Sequence, residues 1–286
     1  MKKPQWIIAA VGIALTIFIY FFANTTPPRT VAAPEVHSED DGHDHGPSDM
    51  LTTDSILAFG KKQLQPEQLN HVIALENSIS RGDVQAQQLK VFHALSHFWG
   101  DSMGFFPGYA WYEAEAARLE NSEKTLTFAA RLFLEYLQQE PNPGLRKWEG
   151  LQAKDLFERS LKINPDNDSA RVGLGAVYLF GNISAAPMEG IAEIRKVLAK
   201  DSRNVYARMM LAKGSLLSGQ VDKGIAHLDT VYSLQPTNVE ATLMLADIHE
   251  RQKKNKEAIR WYQISLEQIT RPDVRADIEK RIESLK

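Results

Sequence analysis

The chain has 286 residues, 43% of them hydrophobic, with 33 basic against 36 acidic side chains and a formal net charge of -3. That balance excludes a wholly disordered or collagen-like chain and gives no general attraction to nucleic acid. The absence of cysteine excludes disulfides, thiolate metal sites and cysteine nucleophiles.

Residues 6–23, WIIAAVGIALTIFIYFFA, carry no charge. At about 1.5 Å per residue they are just long enough to cross a hydrocarbon core of about 30 Å. Lys2 and Lys3 precede the stretch and only Arg29 follows nearby, so positive charge holds residues 1–5 in the cytoplasm and sends the remainder across. Trp6 and Tyr20 stand near the two ends, where amphipathic rings favour the headgroup layer. The competing reading is a cleaved signal peptide. Its apolar core would be shorter, the bulky run Phe18 to Phe22 is a poor cleavage site, and the small pair Ala32 and Ala33 runs straight into Pro34. An uncleaved signal anchor is therefore the favoured expectation.

Residues 24–50 are rich in proline, histidine and acid and have too little apolar surface to offset ordering entropy, so a flexible tether is expected. Glu35, Glu39, Asp40, Asp41, Asp44 and Asp49 face only Arg29, leaving the folded part close to neutral. His37, His43 and His45 lie among these acids. Such a mixture can hold zinc, copper or nickel loosely, yet its spacing defines no closed coordination shell.

From residue 51 onward apolar residues recur at helical spacing and prolines fall mainly between the runs, so an all-α region is expected. Ala207, Leu211 and Ala212 return 34 positions later as Ala241, Leu245 and Ala246, and occur 37 positions earlier as Ala170, Leu174 and Gly175. Gly190, Ile191, Ile194 and Val197 become Gly224, Ile225, Leu228 and Val231, then Ala258, Ile259, Tyr262 and Ser265, at steps of 34. Pro165, Ser202, Pro236 and Thr270 close successive units. A three-residue insertion within GNISAAPMEG accounts for the 37-residue step.

This pattern, small residues where two helices touch and a proline closing the unit, resembles the tetratricopeptide repeat over residues 168–270. The resemblance implies an all-α solenoid of helical hairpins. Residues 51–167 read as a degenerate continuation. LQAKDLFERSLKINP supplies a second helix, TLTFAARLFLEYL its first, and QQEPNPGLRKWEG a long turn between them. QAQQLKVFHALSHFW and AWYEAEAARLEN form an earlier pair joined by GDSMGFFPG, and one or two further helices precede them. Residues 271–286 read as a capping helix that covers the last stacking surface.

Several motifs have plain structural readings. Gly100-Asp101-Ser102-Met103-Gly104 fits G-x-S-x-G, but a nucleophile elbow needs a strand before it and a helix precedes this one. His93 and His97 are four apart, a metal-competent spacing, yet Phe92, Leu95 and Trp99 surround them and no H-E-x-x-H pattern exists. Asp166 and Asp168 lack the remainder of a calcium loop. Gly173 and Gly175 lack a dinucleotide fingerprint. Arg251, Lys253, Lys254 and Lys256 mix with Glu250 and Glu257 at an expected turn. No enzyme, no bound cofactor and no nucleic-acid partner is expected.

The resemblance implies that first helices line a partner groove. The corresponding positions are Tyr206, Met209, Lys213, Leu216 and Leu217 in one repeat and Glu240, Leu243, Asp247, Glu250 and Arg251 in the next. Tyr206, Met209 and Leu243 would otherwise be unexplained apolar exposure. The first functional expectation is a scaffold or assembly factor anchored in a bacterial inner membrane, its repeats meeting envelope proteins in the periplasm. Its layout looks like that of tetratricopeptide subunits of cytochrome c maturation or of ancillary translocon subunits. The alternative is a metal-handling protein, with the histidine tether capturing ions for a partner docked on the repeats.

Overall fold

The computed structural model describes residues 51–79, 84–183 and 187–286, all within a compact unit that spans Asp49–Lys286. The anchor stretch and the histidine tether lie outside the described residues. Among the described residues no helix is long and apolar enough to cross a membrane.

Thirteen α-helices occur among these residues: α1 (Thr53–Lys61), α2 (Pro66–Ile79), α3 (Gln85–His97), α4 (Phe106–Glu120), α5 (Glu123–Leu137), α6 (Pro143–Ile163), α7 (Asp168–Phe180), α8 (Pro187–Lys200), α9 (Val205–Leu217), α10 (Val221–Leu234), α11 (Val239–Arg251), α12 (Asn255–Leu266) and α13 (Pro272–Ser284). Five hairpins, α3/α4, α5/α6, α7/α8, α9/α10 and α11/α12, stack in order, with α1 and α2 against the first and α13 against the last.

The start of each later first helix is set by one side chain. Ser122, Asn167, Asn204 and Asn238 precede α5, α7, α9 and α11, and each side-chain oxygen accepts the N–H three residues on, at 3.2, 2.8, 2.9 and 3.0 Å. An orphan donor is thereby satisfied at each helix start. Small residues then bring the helices together. A methyl group at Gly175 would lie 2.6 Å from the carbonyl oxygen of Gly190, so this hairpin closes only with glycine on both sides.

The core follows from those contacts. One apolar cluster runs from Leu126 and Phe133 through Phe157, Ile194 and Leu245 to Ile278 and Ile282. A second, built on Val72, Leu95, Trp99 and Tyr112, underlies the N-terminal helices. Trp148 Nε1 donates to Thr53 Oγ1 at 3.0 Å and ties α1 to α6.

One expected turn is largely helix. α6 begins at Pro143, only five residues after α5 gives way at Gln138, and extends for 21 residues. Asn142 caps it by accepting from the Leu145 N–H at 3.0 Å, and Pro143 takes the first helical position, where a missing N–H is harmless. The PNPG signal therefore starts a helix as well as ending a turn. The extra helical length meets the irregular α7–α8 connection, where Gly150 lies close against Gly181 and Ile183.

Candidate functional site: a groove across three first helices

Counting from the capping residues aligns α5 with the later repeats. Nine positions past each cap stand Arg131, Ala176, Lys213 and Asp247. Arg131 on α5 and Lys213 on α9 thus hold equivalent places, separated by the buried methyl of Ala176 on α7. Their long side chains reach over that low point and frame a cavity of about 770 Å³. Leu134 and Glu135 of α5, Gln138 and Gln139 just past its end, Val205, Tyr206, Met209 and Met210 of α9, and Gln235, Asn238 and Glu240 complete the lining.

The lining is tied together by polar contacts. The Arg131 guanidinium carbon lies 5.3 Å from the Tyr206 ring centroid, a cation–π geometry, and Arg131 makes only a loose 3.9 Å contact with Glu135. Lys213 Nζ donates to Gln138 Oε1 at 3.1 Å and pairs with Glu240 Oε1 at 2.7 Å. Burial pushes the Tyr206 hydroxyl up to about 12, with Arg131 opposing the shift, so the ring stays neutral and serves as an apolar wall with a polar tip. The arrangement offers two cations, two carboxylates and several amides round a tyrosine and methionine floor. These are recognition groups.

Of the ten positions expected in the groove, Tyr206, Met209, Lys213 and Glu240 meet round this cavity. The other six do not line it. Leu216 covers Gly224 on α10, Leu217 projects into solvent, and Leu243 packs on the core. Asp247 and Glu250 accept hydrogen bonds from the Tyr262 hydroxyl at 2.6 and 2.9 Å, and Glu250 also pairs with Arg281 of α13. These contacts draw both acids into the joint between the last hairpin and its cap. Arg251 is exposed at the end of α11. Apolar exposure is not what marks the groove, because Met209 is buried and Leu243 packed.

The expected groove positions all fall in the later repeats, so Arg131 of α5 is an addition to them. The available signal was Ser122: registering α5 on that cap, as on the three asparagines, places Arg131 opposite Lys213.

The remaining motifs have structural settings. Residues 98–102 form a π-helical turn that ends α3, so Ser102 stands between two helices. His93 pairs with Glu113 at 3.4 Å and His97 with Asp101 at 3.0 Å. Among the described residues no group of three or more histidine or acidic side chains is placed to hold a metal. Lys200 pairs with Asp166 at 2.8 Å and approaches Asp168 at 3.6 Å. The side chain of Phe157 occupies the space a methyl at Gly173 would need. Lys253 takes a left-handed conformation at the α11–α12 turn. His37, His43 and His45 lie outside the described residues.

Stacked helical hairpins with a lined groove define a helical-repeat solenoid. Residues 210–272 match the tetratricopeptide repeat family. A tetratricopeptide repeat protein from Parabacteroides merdae is similar in fold at 14% identity, covering 81% of this chain and 86% of that one with a TM-score of 0.51. MamA from Desulfovibrio magneticus RS-1 matches at 20% identity over 65% of this chain and 96% of its own, with a TM-score of 0.41. No curated protein sequence matches the chain.

Proposed function

We propose that the protein is a scaffold that binds a protein or peptide segment in the groove across α5, α9 and α11. The observation that supports this most is the open cavity of about 770 Å³ to which three first helices contribute charged, amide and apolar groups. Amides and charged tips suit an extended main chain. In the same reading residues 6–23 anchor the chain in a bacterial inner membrane and residues 24–50 tether the repeats on the periplasmic side. Anchor and tether raise the effective concentration of the groove near envelope proteins, as an assembly factor requires.

The test is photo-crosslinking in cells of the full chain with probes at Arg131, Lys213 and Glu240, alongside a control probe at Leu217. One envelope protein captured by the first three and not by the fourth is the expected result. Equal capture at all four, or none, removes the groove from the account.

A further inference from the structure

A second concavity flanks the other side of α5. His97, Gly100, Asp101, Gly104, Phe106, Tyr109 and Tyr136 enclose about 330 Å³ where the π-helical turn meets α4 and the end of α5. Glycine is needed twice to build it. A methyl at Gly100 would stand 3.1 Å from the Tyr109 ring, and Gly104 adopts a φ of +60° to leave the turn. The glycines of the G-x-S-x-G motif therefore shape a pocket wall and have no catalytic geometry.

Three rings line this wall. Phe106 and Tyr136 stack in parallel with centroids 3.2 Å apart, and Tyr109 tilts against Phe106 at 6.3 Å. Tyr136 remains half exposed. Two carboxylates stand close by. Among the described residues Asp101 and Glu113 have ion pairs only with His97 and His93, and no lysine or arginine lines the pocket. Burial raises the Tyr109 hydroxyl above its ordinary range, with Glu113, Tyr136 and Asp101 adding to the shift. Ring faces beside carboxylates whose only ion-pair partners are histidines attract an organic cation through both quadrupole and charge.

We infer that this pocket is a subsite for an organic cation, the ammonium or guanidinium group of a lysine or arginine side chain carried by a bound partner. Tyr136 follows Glu135 of the main groove directly, so α5 contributes to both surfaces. The source of the cation rests on the partner-binding reading, while the pocket's chemistry does not.

The full chain in detergent micelles is titrated with Nα-acetyl-arginine methylamide, Nα-acetyl-lysine methylamide and uncharged Nα-acetyl-norleucine methylamide, following the backbone amide signals of Gly100 and Gly104. Both cations should give saturable shifts at millimolar concentration and norleucine none. Asp101→Asn, an exposed change that leaves the core untouched, should weaken the cations about fivefold. Equal response to norleucine, no saturable shift from either cation, or unchanged affinity in Asp101→Asn overturns the inference. A failed groove crosslink with a positive titration would remove the partner reading and leave the subsite standing.

Discussion

The guanidinium of Arg131 lies over the ring of Tyr206, 5.3 Å from its centroid, so a side chain of α5 meets one of α9 above the intervening helix α7. Contacts between alternate hairpins are not required by stacking, in which each repeat touches its neighbours. This one couples the degenerate half of the chain to its regular half at the groove.

The coupling should be measurable. A double-mutant cycle with Arg131→Ala and Tyr206→Ala, read by urea denaturation, is expected to give an interaction of about 0.5–1 kcal/mol. The same Arg131→Ala change should reduce crosslinking of a groove partner by more than its small stability cost explains. A coupling of zero would make the stacking a coincidence of two partly exposed side chains.

The 34-residue spacing made α9 to α12 legible, since Ala207, Gly224 and Ala241 repeat the same steric demand. It did not register α5 on the later repeats, although TLTFAARLFLEYL reads as a first helix, because the 45 residues between Ser122 and Asn167 exceed the regular period. The excess lies in α6, whose proline and asparagine start signal resembles a turn. Nor could repeat position alone separate Lys213, which faces the groove, from its equivalent Asp247. The Tyr262 hydroxyl recruits Asp247, and that contact depends on the cap.

The closest helix approach sets a second expectation. A methyl at Gly190 would collide with the carbonyl oxygen of Gly175, which is backbone and cannot swing aside. Gly190→Ala should therefore destabilise by about 1–3 kcal/mol, although alanine ordinarily favours a helix over glycine. Gly219→Ala, with nothing nearby but a φ of +74°, should cost through backbone strain alone, about 1 kcal/mol. Thermal unfolding of the two variants separates packing from conformation, and a neutral Gly190→Ala would mean that α7 and α8 can slide apart.

The capping helix should matter mainly to its neighbour. Ile278 and Ile282 of α13 are nearly buried, and Arg281 holds Glu250, whose carboxyl it keeps below the usual range. Ile282→Ala is expected to cost about 2 kcal/mol. Hydrogen exchange should quicken in α11 and α12 well before α5 or α7, as nearest-neighbour stacking requires. Uniform loss of protection would instead indicate a single cooperative unit.

Glu149 supplies the strongest dependence on pH. Its carboxyl is 1% exposed, and Oε2 has no hydrogen-bond partner among the described residues. Burial pushes its pKa up to about 8, with Glu140 adding to the shift and Arg146 opposing it. The unfolded chain releases this proton above about 4.5 and the folded chain only near 8. Between those values the native state binds more protons than the unfolded state, so stability falls as pH rises and levels off beyond the folded pKa. At about 1.4 kcal/mol per pH unit the whole window is worth a few kcal/mol. Glu149→Gln removes the titration while keeping the shape. Its stability relative to the parent should rise steadily from pH 5 to pH 8, read from urea midpoints at constant ionic strength. Parallel curves for the two proteins would show that the carboxylate ionises inside the fold at ordinary pH, with water or a counter-charge reaching it.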